Sequence, residues 1–135
     1  MGVGAESSAV AIAQPAARDV WEGVFTESQA TRGQEAYSHA CTVCHREDLS
    51  GNEDGAPPLR GPAFLQRWTD RSLSEFYFVL AETMPQEAPG SLTTREYVDI
   101  ISFILKRNGA SAGNVELTGE TESLRRVVFT VRRPR

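Results

Sequence analysis

The sequence predicts an all-α fold: three main helices, followed by an extended, partly β-prone C-terminal arm. Three observations predict it. Thr26-Glu27-Ser28-Gln29, Ser72-Leu73-Ser74-Glu75 and Thr93-Thr94-Arg95-Glu96 each read as a capping box, with a hydroxyl at the N-cap and a Gln or Glu three residues on. Small or apolar residues recur at helical spacing behind each of them. Finally, Cys41-Thr42-Val43-Cys44-His45 puts two thiols and an imidazole at positions i, i+3 and i+4, which share one face of a helical turn.

That last motif carries chemistry. Cys-x-x-Cys-His reads as a c-type haem attachment site. Both sulfurs can reach the vinyl groups on one porphyrin edge, and His45 can offer a ring nitrogen to the iron as proximal ligand. The competing readings lack partners. A structural zinc site wants four ligands, and outside the motif the chain has no further cysteine and only His39. A thioredoxin-like dithiol wants a βαβ setting, and no such pattern surrounds the pair.

The 135 residues suit one domain with appendages, read as residues 21–109 with a flexible N-terminus before and an extension over 110–135. A hydrophobic share of 40% allows a small core. A formal charge of −4 speaks against nucleic-acid binding. No apolar run approaches the length of a membrane span. Residues 1–20 are rich in Ala, Ser and Gly and read as a flexible N-terminus or an export-signal remnant, since Ala11-Ile12-Ala13 has the A-x-A form of a cleavage site. Thioether attachment of haem points to an exported, periplasmic protein of a bacterium.

In chain order, Trp21, Val24 and Phe25 form an apolar cluster, and the first helix starts at Thr26. Ala30, Gly33, Tyr37 and Cys41 line one of its faces. A mid-helix Gly33 costs about 1 kcal/mol against Ala, which close approach of another helix would explain. Residues 46–62 are turn and Pro-rich chemistry, and the Pro57 carbonyl is the candidate acceptor for the second ring N–H of His45. Residues 63–68 form a short helical turn whose Trp68 either lines the haem and bonds a propionate or belongs to the core. Leu73, Phe76, Tyr77, Leu80 and Ala81 continue a second helix to about Thr83. Pro85 turns Met84 into an extended conformation with its thioether free to point inward. Met84 is therefore the candidate distal ligand, since His39 sits six residues before His45 on the same element. Leu92 and Tyr97 form a hydrophobic staple around the third helix, Tyr97, Ile100, Ile101, Ile104 and Leu105 form its stripe, and Asn108-Gly109 ends it. The β-prone Val127-Val128-Phe129-Thr130-Val131, with arginines on both sides, is either an arm packed along the domain or a docking arm for an acidic partner or subunit.

From about residue 26 to 109 the chain resembles class I cytochromes c, most closely the small bacterial cytochrome c domains that accompany quinoprotein dehydrogenases. The resemblance rests on Gln29-Ala30-x-Arg32-Gly33-x-x-x-Tyr37-x-x-x-Cys41-x-x-Cys44-His45, Pro57-Pro58-Leu59-x-Gly61-Pro62-x-Phe64, Thr83-Met84-Pro85 and Tyr97-x-Asp99-Ile100-Ile101-x-Phe103-Ile104-Leu105. It implies one covalent haem c inside three main helices, tethered by Cys41 and Cys44 and ligated by His45 and Met84. It further implies that Pro57 orients His45, that Leu59 packs on the porphyrin, that Trp68 contacts a propionate, and that Gly33 and Tyr37 pack near Ile100 and Phe103. Arg46 departs from the pattern, where these domains often carry Gly.

The function so implied is single-electron transfer, with no substrate chemistry and so no enzyme activity. Redox proteins are the expected partners, a quinoprotein dehydrogenase or a terminal oxidase, and the expected state is a monomer or weak oligomer. The alternative is a haem c enzyme or gas sensor with an open distal site, although no distal His/Arg pair stands at a recognisable spacing.

Overall fold

The computed structural model describes residues 17–131. The export-signal expectation for residues 9–13, and Arg132, Arg133 and Arg135 of the basic fringe, lie outside the described residues. The elements are β1 (Arg18–Asp19), α1 (Glu27–Ala40), α2 (Thr42–His45), α3 (Gly61–Trp68), α4 (Leu73–Thr83), α5 (Thr94–Arg107), α6 (Thr121–Arg125) and β2 (Val127–Val128).

The first and third helices start where their caps require. The Thr26 hydroxyl accepts from Gln29 N at 3.2 Å while Gln29 Oε1 accepts from Thr26 N at 3.1 Å. Thr93 and Glu96 repeat this closed box. Ser72 makes only half of one: its hydroxyl accepts from Glu75 N, but the Glu75 carboxylate turns to Arg71 Nε at 2.8 Å. A nearby cation outcompetes the backbone N–H for that carboxylate.

α1 and α5 cross at Gly33. A Cβ there would run into the backbone carbonyl of Asp99 and lie 2.9 Å from Phe103 Cβ. One turn on, the Tyr37 ring packs 5.2 Å from that of Phe103. α5 is the central element, with every residue from Tyr97 to Leu105 buried.

Both flanks of this helical unit are built into its core, and the structure differs from one expectation here. The flexible N-terminus does not extend to residue 20: Arg18–Asp19 pairs in parallel with Val127–Val128, and Val20 is fully buried. Within the C-terminal arm, Thr121–Arg125 forms the short α6, which buries Leu124. Leu117, Leu124, Val127 and Phe129 join one cluster with Val20, Trp21, Phe25 and the helices. Polar clamps hold the arm. Gln29 Nε2 donates to Leu117 O at 2.8 Å and Gln29 Oε1 accepts from Leu117 N at 2.7 Å, so one amide side chain stands in for a strand neighbour. Arg32 forks onto the Asp99 carboxylate at 3.0 and 3.2 Å and reaches Glu116 on the arm at 3.0 Å.

Candidate functional site

α1 ends at Ala40 because Cys41 leaves helical geometry, with φ −126° and ψ −24°. The chain turns there and re-enters a helix at once. Thr42 Oγ1 donates to Ser38 O at 2.9 Å across the corner, and Cys41 O accepts from His45 N at 2.9 Å. The short α2 thus carries Thr42 to His45, with Cys41 at its N-cap. Both thiols are free and half-buried. Val43 between them is 91% exposed, whereas His45 is only 6% exposed.

His45 Nδ1 lies 2.9 Å from the Pro57 carbonyl. A carbonyl can only accept, so Nδ1 carries the hydrogen and the lone pair is on Nε2. Among the described residues Nε2 makes no hydrogen bond. Burial lowers the pKa of the imidazole below its ordinary value, against an opposing contribution from Pro57, which favours the neutral ring that a metal ligand needs. The loop behind Pro57 is braced. Gly51 N donates to His45 O at 3.0 Å, Asn52 Oδ1 accepts from Asp54 N and Ala56 N, and Leu59 N donates to Leu49 O at 2.8 Å. Gly51 sits at φ 78°, and a Cβ there would lie 2.8 Å from the Pro57 carbonyl carbon, so this turn requires glycine.

Burial also pushes the Cys41 thiol up to about 11, and the Glu87 carboxylate adds to the effect. Glu87 follows Met84 by three residues, so the loop after α4 comes within electrostatic range of the Cys41 thiol. Met84 caps α4 in extended geometry, with φ −125° and ψ 149°, and its side chain is half-buried. Leu59 is half-buried against the core, and its carbonyl accepts from Asn108 Nδ2 at 3.0 Å. Trp68 is buried in an aromatic cluster, edge-on to Phe76 at 4.7 Å and 6.2 Å from Phe129, with the Arg71 guanidinium 4.6 Å from its ring centroid. Of the two sequence readings for Trp68, its packing is that of a core residue.

Three residues of this site were not legible as such. Gly51 read only as turn chemistry. Asn108 read as a helix stop, yet its side chain also ties Gly61 N and Leu59 O to the end of α5. Tyr97 read as stripe and staple, yet its hydroxyl donates to Met84 O at 2.7 Å.

Arg46 is held at φ 67° and ψ 161°, a region that is essentially glycine-only. Its carbonyl is fixed there by the Tyr37 hydroxyl at 2.6 Å. Strain of this kind costs about 1–3 kcal/mol, and glycine gives back about 0.5–1 kcal/mol in chain entropy. Arg46→Gly should therefore raise stability by about 1 kcal/mol. Urea unfolding measures this, and an unchanged or lower midpoint would contradict it.

The residues brought together are two thiols three positions apart and a neutral imidazole whose Nε2 lone pair is unengaged. This set suits a porphyrin iron rather than a bare ion, and among the described residues no cluster of three or more His, Cys, Asp or Glu could hold a metal ion. The fold and this motif define a small bacterial cytochrome c domain of class I type. Residues 28–104, more than half of the chain, match the family described as cytochrome c oxidase, cbb3-type, subunit III, and the chain belongs to that family. The family implies haem c and haem-based electron transfer. No curated protein matches the chain. Among solved structures it is similar to the sulfane dehydrogenase SoxCD from Paracoccus pantotrophus, with 23% identity and a TM-score of 0.60. The match covers 74% of this chain and 52% of that one, so the chain spans about half the length of the SoxCD chain and the likeness is one of fold. Among the described residues no helix is long and apolar enough to cross a membrane.

Proposed function

We propose that this domain is a periplasmic electron carrier, not an enzyme, holding one haem c covalently through Cys41 and Cys44 with His45 and Met84 as axial ligands. The observation that carries the reading is the His45 ring, buried beside two free thiols, tied at Nδ1 to Pro57 and unengaged at Nε2. When bound, haem c supplies a one-electron ferric/ferrous couple.

The chain's own residues do the rest. Pro57 fixes the tautomer and the orientation of His45, and Gly51 and Asn52 hold Pro57 in place. Met84 leaves α4 extended, which would free its thioether to serve as the second iron ligand and so keep oxygen and peroxide out. Leu59 would pack on the porphyrin, and Trp68, buried in the aromatic cluster at the end of α3, would support the pocket from the core side. Val43, almost fully exposed between the two thiols, marks the edge where electrons cross to a partner.

The partner is a redox protein, a quinoprotein dehydrogenase or a terminal oxidase. The names of the family and of the structural neighbour, an oxidase subunit and a dehydrogenase, support partners of that kind. Docking for electron transfer is small, below about 1,200 Å², and is guided by charge. The domain is a monomer or weak oligomer.

Covalent attachment is tested on matured protein by acid–acetone extraction and denaturing gel electrophoresis. The pigment should stay with the polypeptide through both. Colour that leaves with the solvent would overturn the reading.

A further inference from the structure

Resting on the reading of Met84 as distal ligand, we propose that Tyr97 is a positioning residue that latches the ligand loop: one phenol hydroxyl closes both ends of residues 84–92. The hydroxyl donates to Met84 O at 2.7 Å and accepts from Leu92 N at 3.4 Å. These two groups belong to the first residue of the loop that follows α4 and to the residue just before the α5 N-cap, Thr93.

Tyr97 can do this because nothing about it is free to move. It lies in the first turn of α5, 2% exposed, and its ring meets that of Tyr77 edge-on at 5.9 Å. α5 itself is fixed by the capping box at Thr93 and Glu96 and by the Gly33 crossing. The loop is held by the packing of Pro85 and Leu92, but its own hydrogen bonds reach little beyond it. Its interior hydrogen bonds, Ala88 N to Pro85 O and Ser91 N to Ala88 O, are local turns. Met84 N to Leu80 O, at 2.8 Å, belongs to the end of α4. Among the described residues, the Tyr97 hydroxyl is thus a hydrogen-bonding link between the loop and the central helix.

A distal thioether can leave its iron by side-chain rotation, and displacement of the loop that carries it adds a further route. Any shift of the loop at Met84 stretches a short hydrogen bond to a buried, immobile donor. The latch therefore lowers the fraction of molecules with an open sixth position, and an exogenous ligand sees its affinity reduced by that fraction.

The test uses the matured holoprotein and Tyr97→Phe, which keeps the ring and deletes only the hydroxyl. The reduced protein is titrated with carbon monoxide, and the oxidised protein is followed at the weak sulfur-to-iron band near the red end of the spectrum. Loss of one hydrogen bond should tighten apparent carbon monoxide binding about three- to tenfold. The red band should also fade at a lower urea concentration than in the parent. Ser102→Ala is the comparator: it deletes a buried hydroxyl of the same helix, bonded to Val98 O at 2.9 Å and remote in sequence from the loop. It should leave carbon monoxide binding within about twofold of the parent. A parent with the red band whose Tyr97→Phe variant binds carbon monoxide no better overturns the latch alone, as does an equal gain in Ser102→Ala. A parent without the band overturns the ligation and the latch together.

Discussion

We expect Met84→Ala to keep its haem colour, to bind carbon monoxide when reduced, and to have a lower reduction potential than the parent. Colour should survive because the proposed tether is at Cys41 and Cys44, at the N-cap and within α2, and not on the Met84 loop. Carbon monoxide enters because the methyl group of Ala cannot reach where a thioether can. The potential falls because a thioether favours ferrous iron, and its loss leaves a harder or vacant position. Axial ligands set haem potentials over a span of about 0.8 V, so a fall on the order of a hundred millivolts is expected. Spectroelectrochemistry of both proteins measures it. If parent and variant share one potential and one carbon monoxide affinity, Met84 is not the distal ligand.

Gly33→Ala is the second large effect, and its sign is informative. In an exposed helix interior, Ala in place of Gly stabilises by about 1 kcal/mol. Here the new methyl group meets the Asp99 carbonyl of α5, and backbone cannot swing aside as a side chain can. Asp99 is further held by the Arg32 fork, and α5 is buried on both sides of it. Overpacking of this kind costs about 1–3 kcal/mol and occasionally more, so we expect a net loss of about 3 kcal/mol. It should appear as a lower urea midpoint together with a disturbed Tyr37–Phe103 pair in near-ultraviolet circular dichroism. A raised midpoint would mean that the helices do not approach as closely at Gly33 as described.

Much of the fold was legible because the main helices announce themselves twice, by cap and by period. Thr26 with Gln29 and Thr93 with Glu96 mark starts that the backbone obeys. Pro85 after Met84 marks the end of α4. The half-formed cap at Ser72 was not legible, because the competing Arg71 is a neighbour through space as well as in sequence, and the pattern says nothing of which carboxylate contact wins. The arm was legible as β-prone but not as core. Its strand needs Arg18–Asp19 as a partner, and a two-residue pairing across the whole chain leaves no periodic signal. Within the site, the Cys-x-x-Cys-His spacing states its chemistry outright. Tyr97 does not: a tyrosine on an apolar stripe looks like packing until the position of its hydroxyl is known. Nor does Arg46, whose strain is a property of backbone angles that residue type alone does not reveal.

The two flanks built into the core also bear on the order in which this chain can fold. The Trp21 indole and Thr130 carbonyl meet across 109 positions, and Gln29 and Leu117 across 88. Contacts of such long range are entropically late, since the intervening chain must be brought together before they return anything. During synthesis, α1 and the Cys41–Cys44 segment emerge long before the arm that completes their core. The thiols therefore pass through a period of exposure on a chain that has no means yet of closing, and any reaction that needs them accessible has that interval in which to occur.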